Sequence, residues 1–145
     1  MSIWYTYPTL EALQQRAAGT MIAHLGIEYL EVGDDFLRAR MPVDARTVQP
    51  FGILHGGASM ALAETLGSTA ANWCVDFAEK MCVGLDINAN HVRAARSGYV
   101  IGTSRPVHLG SSTHVWEIRI ENEQAQLICL ARLTMAVLKR TSLSQ

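Results

Sequence analysis

The spacing of hydrophobic residues changes along the chain, and the first change separates a short helix from a hairpin. Residues 9–18 (TLEALQQRAA) begin with a Thr suited to cap a helix, place leucines on one side and end before Gly19, which predicts an amphipathic helix. Residues 26–32 and 36–43 alternate hydrophobic and polar side chains on either side of a Gly-Asp-Asp sequence. This pattern predicts a β-hairpin.

Residues 56–73 (GGASMALAETLGSTAANW) are unusual because helix formers and small residues continue with a single charged side chain, Glu64. This composition predicts a helix that is buried nearly all round. Its small side chains would let other backbone approach closely, as a sheet wrapped around the helix requires. Residues 47–54, directly before it, contain Pro50 and Gly52 and are predicted to form a loop.

The remainder of the chain has the period of β-strands. Residues 81–92 alternate, which predicts a half-buried strand with one face formed by Val83, Leu85, Ile87, Ala89 and His91. Three further runs rich in β-branched residues, at 98–109, 113–121 and 126–138, follow in meander order. The elements together predict one α+β domain over residues 1–145, with four antiparallel strands after the central helix.

Composition narrows the class of partner. Of the 145 residues 49% are hydrophobic and 17% charged, and 12 Lys+Arg against 13 Asp+Glu give a net charge of −1. These values are typical of a compact globular domain. Without an excess of cations a nucleic-acid surface is not expected, although a small Arg cluster can hold an anionic ligand.

Cysteine usage and the N-terminal segment indicate the compartment. The three cysteines are an odd number without a CxxC pair, so neither a disulfide framework nor a metal site is expected. The N-terminal segment lacks a basic region followed by an apolar run, and therefore does not predict a signal peptide. The longest uncharged run contains Pro50, His55 and three glycines and is not expected to span a membrane. We expect a cytoplasmic protein.

Glu64 is the strongest candidate for chemistry. A carboxylate in the middle of an apolar helix is costly to ionise unless it is paired or has a function. One interpretation is a structural ion pair with an Arg of the facing sheet. The other is a catalytic group, since desolvated acids are enriched in active sites. Ser68, four residues further on the same helical face, either supports the carboxylate or a water, or is a small packing residue.

The start of the same helix offers a complementary group. Residues 52–57 (GILHGG) present little side chain there, and the free N–H groups and dipole of a helix N-terminus favour negative charge. We expect the N–H of Gly56 to be an oxyanion donor. His55 is either a ligand contact or a structural cap, and Gln49 is a neutral donor or an ordinary loop side chain.

The helix rise separates these two groups. Gly56 and Glu64 are eight residues apart, or roughly 12 Å along the helix axis, and one carboxylate does not span that gap. If both act on one carbon, two copies of the chain must build the site. We expect an isologous dimer in which residues 49–56 of one subunit face Glu64 of the other.

Several further residues are candidates to bind a substrate. His91 lies at the end of a predicted strand and is either a buried, backbone-bonded histidine or a ligand contact. Arg93 and Arg96 follow it and form either a solvated edge or a phosphate site. The side chains that are candidates to line an apolar pocket are Phe51, Met60, Leu62 and Trp73.

The residues around the start of the long helix and around Glu64 resemble those of the hotdog-fold acyl-CoA thioesterases. The segments that carry the resemblance are 49–59 (QPFGILHGGAS), 63–68 (AETLGS), 86–91 (DINANH), 106–110 (PVHLG) and 115–118 (VWEI). The spacing from HGG to AE is more specific than either half alone. The likeness is greatest to the branch that includes the 4-hydroxybenzoyl-CoA, 1,4-dihydroxy-2-naphthoyl-CoA and enterobactin proofreading thioesterases.

The resemblance implies a hotdog fold, in which an antiparallel sheet wraps around a long central helix. It implies hydrolysis of acyl-CoA, aromatic acyl-CoA in particular, or of acyl groups on a carrier protein. No metal or redox cofactor is implied, because CoA is part of the substrate. The chain would be a homodimer or a homotetramer built as a dimer of dimers, with the site at the subunit interface.

The resemblance also implies roles. Glu64 would be the nucleophile or general base, while the Gly56 N–H, helped by Gln49, would polarise the thioester carbonyl. These roles agree with the chemistry, since hydrolysis needs an oxyanion donor and a base on opposite sides of the carbon. His55 would assist at the thioester sulfur or carbonyl. Ser68 would support the hydrolytic water, and His91 would line the acyl or pantetheine path.

One position departs from the pattern of the family. Relatives commonly have Arg or Lys after the Gly of the HLG segment, and this chain has Ser111. We expect Arg93 or Arg96 to supply the phosphate contact instead. Two other functions stay open, namely a non-catalytic acyl-CoA sensor, which would lose the acid, and a hotdog dehydratase, which would use a different pattern. The spacing from HGG to Glu64 favours the thioesterase.

Overall fold

A computed structural model describes residues 1–142. Two short helices, α1 (Leu10–Ala17) and α2 (Met21–His24), precede the hairpin β1 (Glu28–Val32) and β2 (Leu37–Pro42). The long helix α3 (Gly56–Trp73) follows. The chain then forms β3 (Lys80–His91), β4 (Tyr99–Leu109), β5 (Thr113–Asn122), β6 (Leu127–Lys139) and a short 3-10 helix, Arg140–Ser142. These bounds lie within two residues of those predicted for each strand and for α3.

The six strands form one antiparallel sheet in the order β1-β2-β4-β5-β6-β3. Helix α3 packs against strands β2 to β6. The meander β4-β5-β6 is confirmed, and so is the α+β fold with a sheet around a central helix. Strand β3, which the chain enters first after α3, pairs with β6 at the far edge of the sheet.

The prediction that α3 is buried nearly all round is wrong for the single chain. Its fully buried residues form one stripe, made of Ala58, Ser59, Leu62, Ala63, Leu66, Gly67, Ala70 and Ala71. The opposite side, which includes Met60, Glu64 and Ser68, is half-exposed. Small side chains permit close packing on both sides, but the sheet of one chain covers only the first.

The single alternating face predicted for β3 is also wrong, because the strand contains a bulge. The register with β6 slips by one residue between Gly84 and Asp86, and Leu85, the extra residue, is 62% exposed. An extra residue moves the following side chains to the other face. Gly84 therefore shares the inner face with Ile87, opposite the buried Met135 and Leu133.

Helix α1 forms as predicted, whereas α2 was not anticipated. Thr9 accepts a hydrogen bond from the N–H of Ala12, and Leu13 and Ala17 are buried. Thr20 caps α2 in the same way. A helix of four residues is too short to show a hydrophobic period.

Candidate active site

The loop before α3 is held by its own backbone. Val48 and Leu54 pair as a β-bridge, and the N–H of Gln49 donates to the carbonyl of Ile53 at 2.9 Å. Gly52 closes the turn between them with φ +79°, a backbone conformation that residues other than Gly rarely adopt. The loop therefore places Gln49 at a defined position beside the start of the helix.

The Gln49 side chain is oriented by a hydrogen bond within this loop. Its Oε1 accepts from the N–H of Phe51, so the amide nitrogen of Gln49 is directed away from the turn and is available as a donor. It lies on a cavity of about 410 Å³. Gly56, Ser59, His91 and Arg93 line the same cavity. The structure thus brings four of the predicted residues together.

Among residues 1–142, only one of the first N–H groups of α3 has no protein partner. The N–H of Gly57 donates to Nδ1 of His55 at 2.8 Å. Those of Ala58 and Ser59 donate to the His55 carbonyl. Gly56 N–H has no partner within residues 1–142. This N–H is the group that a helix N-terminus offers to an anion.

The imidazole of His91 lies directly over this position. A Cβ added to Gly56 would be 3.0 Å from Nε2 of His91. A side chain at position 56 would therefore crowd the imidazole and the cavity. The bare backbone at the start of α3 keeps this space open. His91 is exposed in the single chain, so its interpretation as a buried histidine is wrong.

His55 caps the helix, and its ring points elsewhere. Nδ1 accepts a hydrogen bond from Gly57, so in the neutral ring the proton is on Nε2. The residue lines a second cavity, of about 220 Å³, together with Met21, Arg46 and Ala61. Within one chain His55 and Gln49 therefore lie on different cavities.

Glu64 projects from the middle of α3 against Gly84 of β3. Desolvation by burial raises the pKa of Glu64 above its ordinary value. Its carboxylate has neither a hydrogen bond nor an ion pair with any residue that the structure describes. The structural ion pair is therefore excluded as an interpretation. A desolvated and unpaired carboxylate is the arrangement expected of a reactive group.

The structure does not bring Gly56 and Glu64 of one chain together. Helix α3 is unbroken from Gly56 to Trp73, so the separation of about 12 Å along its axis is retained. The two residues also contact different parts of β3, since Gly56 meets His91 and Glu64 meets Gly84. Within one chain the Gly56 N–H and the Glu64 carboxylate therefore lie too far apart to act on one carbon.

Other predicted residues are divided between separate places. Ser68 lies on a third cavity, between α1 and α3, with Trp73. Met60 is half-exposed beside Glu64 on the outward face of α3. Arg96 is exposed, and Ser111 lines a different cavity, near Cys74 and His114.

Of the four expected pocket residues, Trp73 lines one of these cavities, whereas Phe51, Met60 and Leu62 line none of the cavities described within residues 1–142. Leu62 is 0% exposed and belongs to the core, because it points from α3 toward the sheet. Phe51 is 88% exposed at the tip of the loop. Sequence reasoning missed the contact of Gly84 with Glu64, because alternation along β3 does not reveal the bulge. It also missed Tyr29, because a hairpin prediction assigns this residue to a strand face and not to a cavity.

Other chemistries have less support. Burial raises the pKa of Cys74 to about 12 and that of Cys82 to about 11, which makes both poor nucleophiles. Residues 1–142 contain no group of three His, Cys, Asp or Glu side chains arranged to hold a metal ion. In the same part of the chain no helix has the length and apolar character needed to cross a membrane.

A six-stranded antiparallel sheet that packs around one central helix defines the hotdog fold. The chain belongs to the thioesterase superfamily, whose model matches residues 51–129. It is a thioester hydrolase.

Three relatives illustrate the likeness. The chain is 53% identical to the 1,4-dihydroxy-2-naphthoyl-CoA hydrolase of Escherichia coli, over 94% of this chain and 99% of that protein. It is 52% identical to the proofreading thioesterase EntH of Cronobacter turicensis, over 94% and 98%. The crystal structure of a mutant thioesterase from Pseudomonas aeruginosa superposes with a TM-score of 0.94 at 49% identity, over 95% and 99%.

Proposed function

We propose that two copies of this chain form two identical sites that hydrolyse aromatic acyl-CoA thioesters. In each site one subunit provides the Gly56 N–H and Gln49, and the other provides Glu64 and Ser68. The observation that carries this proposal is the separation of two incomplete halves on one unbroken helix. A carbon that is polarised from one side and attacked from the other needs both halves within a few ångströms.

The chemistry follows from the groups in each half. The Gly56 N–H, with the amide of Gln49, stabilises negative charge on the thioester oxygen as the carbonyl carbon becomes tetrahedral. Glu64 acts on the opposite side, either by attacking the carbon or by taking a proton from the attacking water. Ser68, one turn further along α3, holds that water. His55 assists near the thioester sulfur with its Nε2–H.

The surface of the single chain supports an isologous dimer. Strand β3 is twelve residues long and, within the part of the chain that the structure describes, pairs on one side only. A long unpaired edge strand is a template for a second copy. The half-exposed face of α3 contains Glu64, and Leu85 is 62% exposed on the neighbouring strand. Pairing two copies along this region covers both features in a symmetric way.

The cavity of about 410 Å³ supports the binding of the pantetheine arm and the CoA phosphates. Its lining includes Gln49, Gly56 and Arg93. A guanidinium is well suited to phosphate oxygens. Arg96, which is exposed and lies three residues after Arg93, provides a second cation for the CoA phosphates. Ser111 contributes no charge. An acyl group on a carrier protein would present the same arm.

The relatives support an aromatic acyl group. One of them is named as a hydrolase of 1,4-dihydroxy-2-naphthoyl-CoA, and another as a proofreading thioesterase. The cavity beside Ser68 is lined by the aromatic side chains of Tyr29, Trp73 and Phe77. An aromatic ring packs well against such walls.

A substrate panel tests this function. Benzoyl-, hydroxybenzoyl-, phenylacetyl-, naphthoyl- and fatty acyl-CoA are supplied together with acyl carrier protein thioesters, and the released thiol is measured with a colour reagent. Glu64→Gln is the background control. We expect the highest kcat/KM with an aromatic acyl-CoA. A clear preference for fatty acyl-CoA, or for a carrier protein, would contradict the proposed substrate class.

A further inference from the structure

A cavity beside Ser68 has a polar end that the proposed reaction does not use. It measures about 200 Å³ and lies between α1, β1 and α3. Its lining includes Arg16, Tyr29, Ser68, Thr69, Trp73 and Phe77. Ser68 is four residues after Glu64, or about 6 Å along the helix axis. The cavity therefore lies about one helical turn from the Glu64 carboxylate.

The cavity has the size and walls for one part of a ligand. Whole ligands commonly occupy roughly 300–1,000 Å³, so about 200 Å³ accommodates an acyl group without the CoA. The rings of Trp73 and Phe77 meet edge to face, with centroids 5.4 Å apart. Edge-to-face pairs leave flat apolar faces available for a further ring.

Two polar groups lie among these apolar walls. Tyr29 is 8% exposed, and its hydroxyl hydrogen-bonds to Oγ1 of Thr69 at 3.0 Å. The guanidinium of Arg16 stacks over Phe77 at 5.0 Å from the ring centroid. Arg16 has no carboxylate partner within residues 1–142. A fixed hydroxyl and an unpaired cation at one end of an aromatic cavity suit an oxygen substituent on a bound ring.

Resting on the proposed function, we propose that Tyr29 and Arg16 determine specificity by selecting aromatic acyl groups with a ring hydroxyl. The hydroxyl of Tyr29, positioned by Thr69, hydrogen-bonds to this oxygen, and Arg16 attracts its negative end. An unsubstituted ring would make neither the hydrogen bond to the Tyr29 hydroxyl nor the contact with the Arg16 guanidinium. Sites of this kind discriminate more strongly than apolar pockets of the same size.

The test compares benzoyl-CoA with the three monohydroxybenzoyl-CoA isomers. The readout is the ratio of kcat/KM for the best isomer to kcat/KM for benzoyl-CoA. We expect a ratio of about ten or more for the unmodified enzyme, and a fall of about tenfold in Tyr29→Phe, since one lost hydrogen bond is worth roughly that factor. Tyr7→Phe is the matched control, because its exposed hydroxyl donates to the Val32 carbonyl outside the cavity, and its ratio should not change.

An unchanged ratio in a folded Tyr29→Phe enzyme would overturn this inference. If that variant fails to fold, Arg16→Gln decides, since Arg16 is exposed and its replacement threatens the fold less. A fall in the same ratio supports the inference, and an unchanged ratio overturns it. Failure of the proposed function is a different result, namely an unmodified enzyme that hydrolyses none of the four thioesters.

Discussion

The carboxylate of Glu64 lies in a space that exists because residue 84 is glycine. A Cβ added to Gly84 would be 2.5 Å from Oε1 of Glu64, well inside van der Waals contact. The bulge at Leu85 lets Gly84 share the inner face of β3 with Ile87. The strand therefore positions the carboxylate by leaving room for it.

Gly84→Ala should displace the carboxylate and lower kcat by about ten- to a hundredfold, because small displacements of a reacting group have effects of this size. The matched control is Gly102→Ala, where the added Cβ would be 2.6 Å from Leu66 Cδ1 in the core. It should lower Tm without a comparable loss of kcat in the folded enzyme. Equal kcat values for the two variants would show that the space beside Glu64 has no catalytic importance.

Glu64→Gln keeps the size of the side chain and removes its charge. We expect turnover to fall by on the order of a thousandfold or more, because the nucleophile or base is lost while the oxyanion donor remains. Binding of a non-hydrolysable acyl-CoA analogue, measured by calorimetry, should persist. Near-normal turnover would remove Glu64 from the mechanism.

The raised pKa of Glu64 links activity and stability to pH with opposite signs. Activity needs the carboxylate, so the acid limb of kcat/KM should lie above the ordinary value of 4.5. Stability should fall as pH rises from 4.5 through the raised value, because ionisation is easier in the unfolded chain. Thermal unfolding should therefore give Glu64→Gln a higher Tm than the unmodified protein near about pH 8, and an equal Tm near about pH 4. A lower Tm for the variant at the higher pH would contradict the desolvation of Glu64.

Two substitutions of His55 separate its role as a helix cap from its proposed role in catalysis. His55→Ala removes the acceptor for the Gly57 N–H and should cost about 1 kcal/mol of stability, with a loss of roughly ten- to a thousandfold in turnover. His55→Asn retains a capping oxygen, so it should recover the stability without recovering the turnover. Full activity in His55→Asn would mean that His55 is a cap alone.

Complementation tests the shared site. Glu64→Gln and the double variant Gln49→Ala/Gly56→Val should each be inactive, and refolding them together should restore activity. About half of the dimers are then mixed, and each mixed dimer has one working site of two, so recovery should approach about a quarter of the unmodified activity. Circular dichroism of each variant alone confirms that it folds. Verified heterodimers without activity would place the whole site within one chain.

The sequence by itself determined the elements and the candidate chemistry. Two different hydrophobic periods located α3 and the strands, because local spacing decides which side chains share a face. The length of one unbroken helix already separated Gly56 from Glu64. The candidate reactive groups also followed from local facts, since a charge in an apolar helix and a bare helix start are visible in the residues alone.

Tertiary structure decided the surroundings of those groups. Pairing of β3 with β6 and the slip at Leu85 place Gly84 under Glu64. Neither is fixed by alternation, because a bulge reverses the faces of a strand without changing its composition. Leu62 belongs to the core and Tyr29 to a cavity because distant segments pack there. Contacts between residues far apart in the chain arise only when elements pack together, so the hydrophobic period of each separate helix or strand does not predict them.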